Sequence, residues 1–272
     1  MICKLCKQDK KLIRAHLMPD SLVSRVVDKT KEGLKSIDLR DGTTKIRQTL
    51  EADKEILCGK CDSYLGLYDE KLVQLIDRWS AAPIRRIAPD KDSPARAEKI
   101  DCNTTDLLLS LAAILLRFSF STRHEWMSLG KYEEIFSAWI KARELPQNFE
   151  RYFSAIALGY AIEPACSKDS TDIIDLSKFL RQIPRGGRSG QAHQYFLELP
   201  SIFFIVKVGQ GQWNFESQTN YPTIPANAQN LAIPNLPFSL TKTFREDMAK
   251  AVSLSERWIQ RQHLNRQARH TK

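Results

Sequence analysis

Two cysteine pairs, Cys3-Lys-Leu-Cys6 and Cys58-Gly-Lys-Cys61, bracket a lone histidine in Arg14-Ala-His16-Leu-Met-Pro19. A two-residue gap lets both thiolates of one tight knuckle reach a single ion, and two such pairs supply the four soft ligands of a tetrahedral zinc site. The pairs are 51 residues apart, so one ion would tie distant parts of the chain together. Two other uses of the cysteines are a disulfide framework and a redox CxxC. A disulfide framework suits an exported chain, whereas this N-terminus carries Lys4, Lys7, Lys10 and Lys11 and no apolar signal run. A redox motif leaves the second pair without a purpose. Structural Zn²⁺ on Cys3, Cys6, Cys58 and Cys61 is therefore the expectation. It would add on the order of 10 kcal/mol to folding, where residues 29–53 offer few large apolar side chains. Cys102 and Cys166 have no spaced partner and are expected to be small buried apolar residues. Cysteine usage and the N-terminus together suggest a reducing, cytoplasmic setting.

The first CxxC, the His-Leu-x-Pro step and Glu55-Ile-Leu-Cys-Gly-Lys-Cys-Asp62 resemble the HNH endonuclease superfamily in its zinc-stapled, treble-clef form. They are similar above all to a group of uncharacterised bacterial HNH-like proteins with a Ser/Ala-His-Ile/Leu-x-Pro motif. The specific motifs lie within residues 1–75, with similarity in outline near 107–118 and 196–209. The resemblance implies an α+β fold with an N-terminal ββα zinc domain, in which His16 ends the first strand. It further implies a metal-dependent nuclease acting on nucleic acid, DNA being favoured. His16 would take a proton from the attacking water, as an imidazole near neutrality can. Asp62 stands where many members carry a metal-binding histidine, and Asp53 where a central asparagine often stands; a Mg²⁺ or Mn²⁺ ion would serve the leaving oxygen. Pro19 would fix the exit from the turn. Phage defence, a defence-system partner protein or a homodimer would be natural settings for such a protein. Ala15 departs from the pattern, since many members have a ligand there. That departure keeps a second reading open: the same zinc scaffold without chemistry, binding nucleic acid or a protein, with His16 in a structural role. A third reading gives the work to the C-terminal half.

Charge points the same way. Forty-one Lys and Arg against 32 Asp and Glu leave +9, with a pI near 9.2, which favours an anionic partner. Residues 241–272 hold +5 of that excess, with Arg257, Arg261 and Arg266 in the stretch from 257 onward that holds no acidic residue, either a nucleic-acid contact or a solvated tail. Pro184-Arg185-Gly-Gly-Arg188-Ser-Gly190 reads as a flexible basic loop, with Arg185 and Arg188 able to meet phosphate. No apolar run approaches the roughly 20 residues of a membrane-spanning helix.

The elements that must position these residues follow from periodicity. A zinc-binding unit is expected over 1–80, a Pro-interrupted linker over 81–100, and a mainly helical region with a small antiparallel sheet over 101–272. Residues 22, 23, 26 and 27 have helical spacing. Alternation up to Asp41-Gly42 predicts a hairpin, and Leu65 to Trp79 an amphipathic helix starting just past Cys61. Asp69 and Glu70 on that helix read as surface charges or as carboxylates near the metal. Leu107–Phe118 is apolar nearly all round and predicts a buried helix. Helices are also expected at 131–145, 149–162, 170–183 and 240–269, strands at 194–199, 202–208 and 212–216, and an irregular covering loop at 218–238. His124 is expected in an exposed loop.

Overall fold

The computed structural model describes residues 1–26, 34–37, 44–47, 51–81, 97–159, 180, 184–189, 192–210 and 221–234. Within them the chain is mixed helix and antiparallel sheet, the α+β class expected. Its elements begin with β1 (Ala15–His16), a 3-10 turn at Asp20–Leu22 and α1 (Val23–Val26). The hairpin strands β2 (Leu34–Ile37) and β3 (Thr44–Arg47) follow, then β4 (Ala52–Asp53) and the long helix α2 (Gly59–Ala81). After β5 (Ala97–Asp101) come α3 (Thr104–Phe120), a 3-10 segment at Thr122–Met127 and α4 (Tyr132–Ala142). The remaining strands are β6 (Phe153–Gly159), β7 (Arg185–Ser189), β8 (Ala192–Leu199), β9 (Ile202–Gly209) and β10 (Asn230–Pro234).

Helix α3 is the centre of the molecule because its sequence is apolar on every side, and all of Leu107–Phe118 is buried. Asn103 caps it by accepting a hydrogen bond from the Asp106 N–H. Helix α2 buries Leu65, Tyr68, Leu72, Leu75, Ile76 and Trp79 and is joined to its neighbours by polar links. The Ser110 hydroxyl lies 2.7 Å from the Tyr68 carbonyl, and the Tyr64 and Tyr68 hydroxyls both donate to the Ile140 carbonyl at the end of α4. Arg117, only 2% exposed, donates two hydrogen bonds of 2.7 and 2.9 Å to the Asp69 carboxylate. Asp69 is thus the partner of a buried cation, which neither reading of the sequence contained.

The four-stranded sheet runs in the order β6-β9-β8-β7, antiparallel throughout. Pro200 and Ser201 form the β8–β9 turn, where Ser201 adopts a positive φ of 70°, and its hydroxyl lies 3.0 Å from that of Ser80 at the end of α2. Gly159 lets the Trp79 indole reach β6, since a Cβ there would lie 1.8 Å from the ring. Buried apolar side chains form one continuous cluster from Cys3 through α2 and α3 to Ile233.

Several expectations need correction. The helix expected over 149–162 is a 3-10 turn at Phe149–Arg151 followed by β6, in which all seven residues are buried. A strand covered on both faces shows no alternation, so its apolar run mimics a helix. The 184–190 loop is largely strand β7, and the covering loop at 218–238 contains β10, paired with β5. β5 also takes up residues 97–100 of the expected linker; residues 82–96 lie outside the described residues. So do the expected helices at 170–183 (save residue 180) and 240–269, the strand at 212–216 and Cys166. No helix is long and apolar enough to cross a membrane among the described residues.

Candidate functional site

The first cysteine pair sits in a tight knuckle: the Lys7 N–H donates to the Cys3 carbonyl at 2.8 Å, Lys7 takes a positive φ of 60°, and Cys3 N–H donates to Gln8. Backbone hydrogen bonds from Lys4 to Ile56 and from Ile13 to Leu57 bring this knuckle against the second pair at the start of α2. The four Sγ atoms lie within 4.8 Å of one another, with Cys6 and Cys58 at 4.0 Å, and the thiols are free. Zinc–sulfur bonds of about 2.3 Å arranged tetrahedrally set sulfur separations of about 3.8 Å, so the cluster can hold one metal ion and is compatible with structural zinc. Burial opposes ionisation of Cys3, yet the backbone N–H groups of Cys6, Cys58 and Leu5 outweigh it and bring the thiol down to about 6. Cys61 moves the other way, raised by burial, by hydrogen bonds with the other three cysteines and by the charge on Cys3. Four crowded thiols cannot all ionise without a cation among them.

This staple supports a short strand pair. β1 and β4 run antiparallel with Ala15 opposite Asp53 and His16 opposite Ala52. Paired residues share a face and successive residues alternate, so His16 and Asp53 occupy opposite faces. The His16 Nε2 is buried without a hydrogen bond, although the side chain as a whole is 32% exposed, and it lies 3.7 Å from the Asp20 carboxylate. Asp62, in the first turn of α2, is near enough to feel the charge of His16. Burial pushes the Asp62 carboxyl above its usual range against the pull of Arg117; Asp69 raises it further and His16 lowers it. The link between His16 and Asp62 is this weak charge interaction, whereas Asp20 is the carboxylate at contact distance from the His16 Nε2.

Asp53 is not part of that pair. Its Oδ1 accepts from the Glu55 N–H at 2.9 Å and its Oδ2 from the Ser121 hydroxyl at 2.7 Å. Burial alone would raise this carboxyl, but Ser121, the Glu55 N–H, and the charges of Arg123 and Lys4 hold it below the usual range. Asp53 is therefore an anchor between β4 and the end of α3. Ser121, Arg123, His124 and Glu51 complete this anchor. Arg123 donates to the Ala52 carbonyl at 3.1 Å, and Lys4 donates to the Phe120 carbonyl. His124 is buried rather than in an exposed loop, with Nε2 3.2 Å from the Glu51 carboxylate and its ring tilted against Phe118. The one sequence signal for the anchor was Ser121, a capping residue directly after an apolar helix; its side chain accepts from the Arg123 N–H.

Arg185 and Arg188 stand in β7, opposite Phe196 and His193. Arg257, Arg261 and Arg266 lie outside the described residues. Among the described residues, the four cysteines form the metal-competent cluster, and neither His16 nor Asp62 belongs to a group of three or more ligands. No protein-family model, no curated protein and no solved structure matches the chain.

Proposed function

We propose that the chain is a metal-dependent endonuclease hydrolysing phosphodiester bonds in nucleic acid, DNA being favoured, on a zinc-stapled, HNH-like treble-clef domain. The carrying observation is His16: a histidine ending one strand of an antiparallel pair, its Nε2 without a hydrogen bond and 3.7 Å from the Asp20 carboxylate, with Asp62 in the first turn of the following helix within reach of its charge. Zinc on Cys3, Cys6, Cys58 and Cys61 would hold helix and strand pair in register.

In this reading the neutral His16 imidazole accepts the proton of the attacking water at Nε2. Asp20 at 3.7 Å then stabilises the imidazolium. Asp62 would hold Mg²⁺ or Mn²⁺ with water and phosphate oxygens completing the shell, as hard ions prefer. A bound cation also suits Asp62 electrostatically, because burial disfavours its charge. Such an ion supplies positive charge for the leaving oxygen.

A second reading has its own observation. With Ala15 unable to ligate and Asp53 committed to Ser121 and Glu55, one carboxylate remains from the expected pair. This favours a catalytically silent scaffold that binds nucleic acid.

A cleavage assay separates the two. Zinc-loaded protein and its His16→Ala variant are compared on single- and double-stranded DNA and RNA with added magnesium or manganese. Loss of about 10²–10⁴-fold in the folded variant supports the nuclease. Absence of cleavage by both, with zinc retained and salt-dependent binding, supports the silent scaffold.

A further inference from the structure

The segment between α3 and α4 turns two large side chains outward. His124 departs from helical geometry (φ −129°, ψ 53°), and its ring is buried while Arg123 and Trp126 on either side are 55% and 52% exposed. Arg123 is tied by its Nη1 to the carbonyl of Ala52, the residue opposite His16 in the β1–β4 ladder. That carbonyl faces the outer edge of β4, because the β1 side of the ladder is taken where Leu17 donates to Glu51. Trp126 reaches the other way, to β7: a Cβ on Gly186 would lie 3.2 Å from its Cζ3 and 2.9 Å from Tyr195. Glycine at this position lets the indole rest against the strand backbone, and Gly186 itself stays exposed. β7 is the last strand of the sheet and carries Arg185 and Arg188, the latter paired with His193, whose ring stacks on Tyr195.

Arg123 at the strand pair of His16, Trp126, and the backbone of β7 at Gly186 thus lie along one segment of surface. We propose that this track binds single-stranded nucleic acid, with Trp126 as the stacking platform for one base and Arg123 as the phosphate contact next to the candidate site. An exposed flat ring three residues from an exposed arginine is what such a ligand needs, because every base has a π-face and every nucleotide a negative charge. The exposed Glu125 is the acidic residue between the two. The proposal rests on the reading that nucleic acid is the partner, and it is independent of hydrolysis.

The test uses the full-length, zinc-loaded chain without added magnesium or manganese and a fluorescein-labelled 20-nucleotide oligo-dT. Affinity is read by anisotropy at several salt concentrations. Trp126→Ala should weaken binding about 10- to 100-fold, whereas Trp126→Phe, which keeps a ring, should stay within about threefold of the parent. Arg123→Ala should lower the slope of log affinity against log salt by about one unit. Thermal melting and zinc content establish that the variants fold; Trp126→Phe guards against a merely structural effect. The chain has five tryptophans, so quenching by oligo-dT that disappears in Trp126→Phe assigns the contact. Unchanged affinity in Trp126→Ala overturns the proposal, as does absence of oligonucleotide binding to the parent or recruitment of a protein at Trp126 instead. Binding that depends on Trp126 in a chain that cleaves nothing would retain the track and remove the nuclease reading. Cleavage and binding that ignore Trp126 would do the reverse.

Discussion

The strand pair that carries His16 is two residues long on each side, whereas β6, β9 and β8 are joined by seven- and eight-residue ladders with almost every side chain buried. The long sheet is held by its own apolar area, at roughly 25 cal/mol per Å² removed from water. Among the short ladder's own residues, Ala15 is the one buried apolar side chain. The ladder depends on the cysteine cluster on one side and on Ser121, Arg123 and His124 on the other. A candidate site built this way is positioned by ligands and hydrogen bonds contributed from far along the chain.

Removing the metal tests this contrast most severely. One zinc per chain is expected by elemental analysis, and chelation or Cys61→Ala should withdraw on the order of 10 kcal/mol from the N-terminal unit. Hydrogen exchange should then show β1 and β4 losing protection before β8 and β9. Simultaneous loss would break the comparison. Next in size is the ion pair between α2 and α3: Arg117→Met leaves Asp69 without its cation in a mostly buried setting and should cost about 3–5 kcal/mol in urea unfolding. Replacing both partners with apolar residues should restore much of it.

On the sheet side, Gly159→Ala forces a methyl into the Trp79 ring and should destabilise by up to about 3 kcal/mol, without releasing zinc. Asp53→Asn attacks the anchor of the short ladder, at about 1–3 kcal/mol by chemical denaturation. Its pH dependence has a definite sign. Because the folded carboxyl is lowered, its stabilisation is present above the unfolded value of about 3.9 and is lost as pH falls through the folded value. The smallest effect is of opposite sign. Asp62 is raised in the fold, so ionising it opposes folding as pH rises from its unfolded value through the folded one. Asp62→Asn should melt slightly higher than the parent at neutral pH in buffer without added magnesium or manganese, and on the proposed nuclease reading it should also abolish cleavage.

Much of the fold was legible because it rests on local periods. The alternation before Asp41-Gly42 matches β2 and β3, the 3.6-residue pattern after Cys61 matches α2, and the apolar runs at 194–199 and 202–208 match β8 and β9. Residues 153–159 were illegible because burial on both faces erases the period of a strand. β7 was hidden by Gly186 and Gly187, which favour a loop locally; Trp126, packed where a Cβ on Gly186 would stand, is distant in sequence. His124 looked exposed beside Arg123 and Glu125 because its partners Glu51 and Phe118 come from other elements.

The sequence by itself determined the four thiolates, their two-residue spacing, the helix that follows the second pair and the excess of positive charge, all properties of residue type and short separation. Only the tertiary structure decided that Asp53 turns away from His16 to Ser121, that Asp20 stands 3.7 Å from the His16 Nε2, and that Arg123 and Trp126 face outward. The physical reason is that ladder register assigns each side chain to a face, and closure of the chain over 68 residues, from Asp53 to Ser121, brings in the partner that waits there.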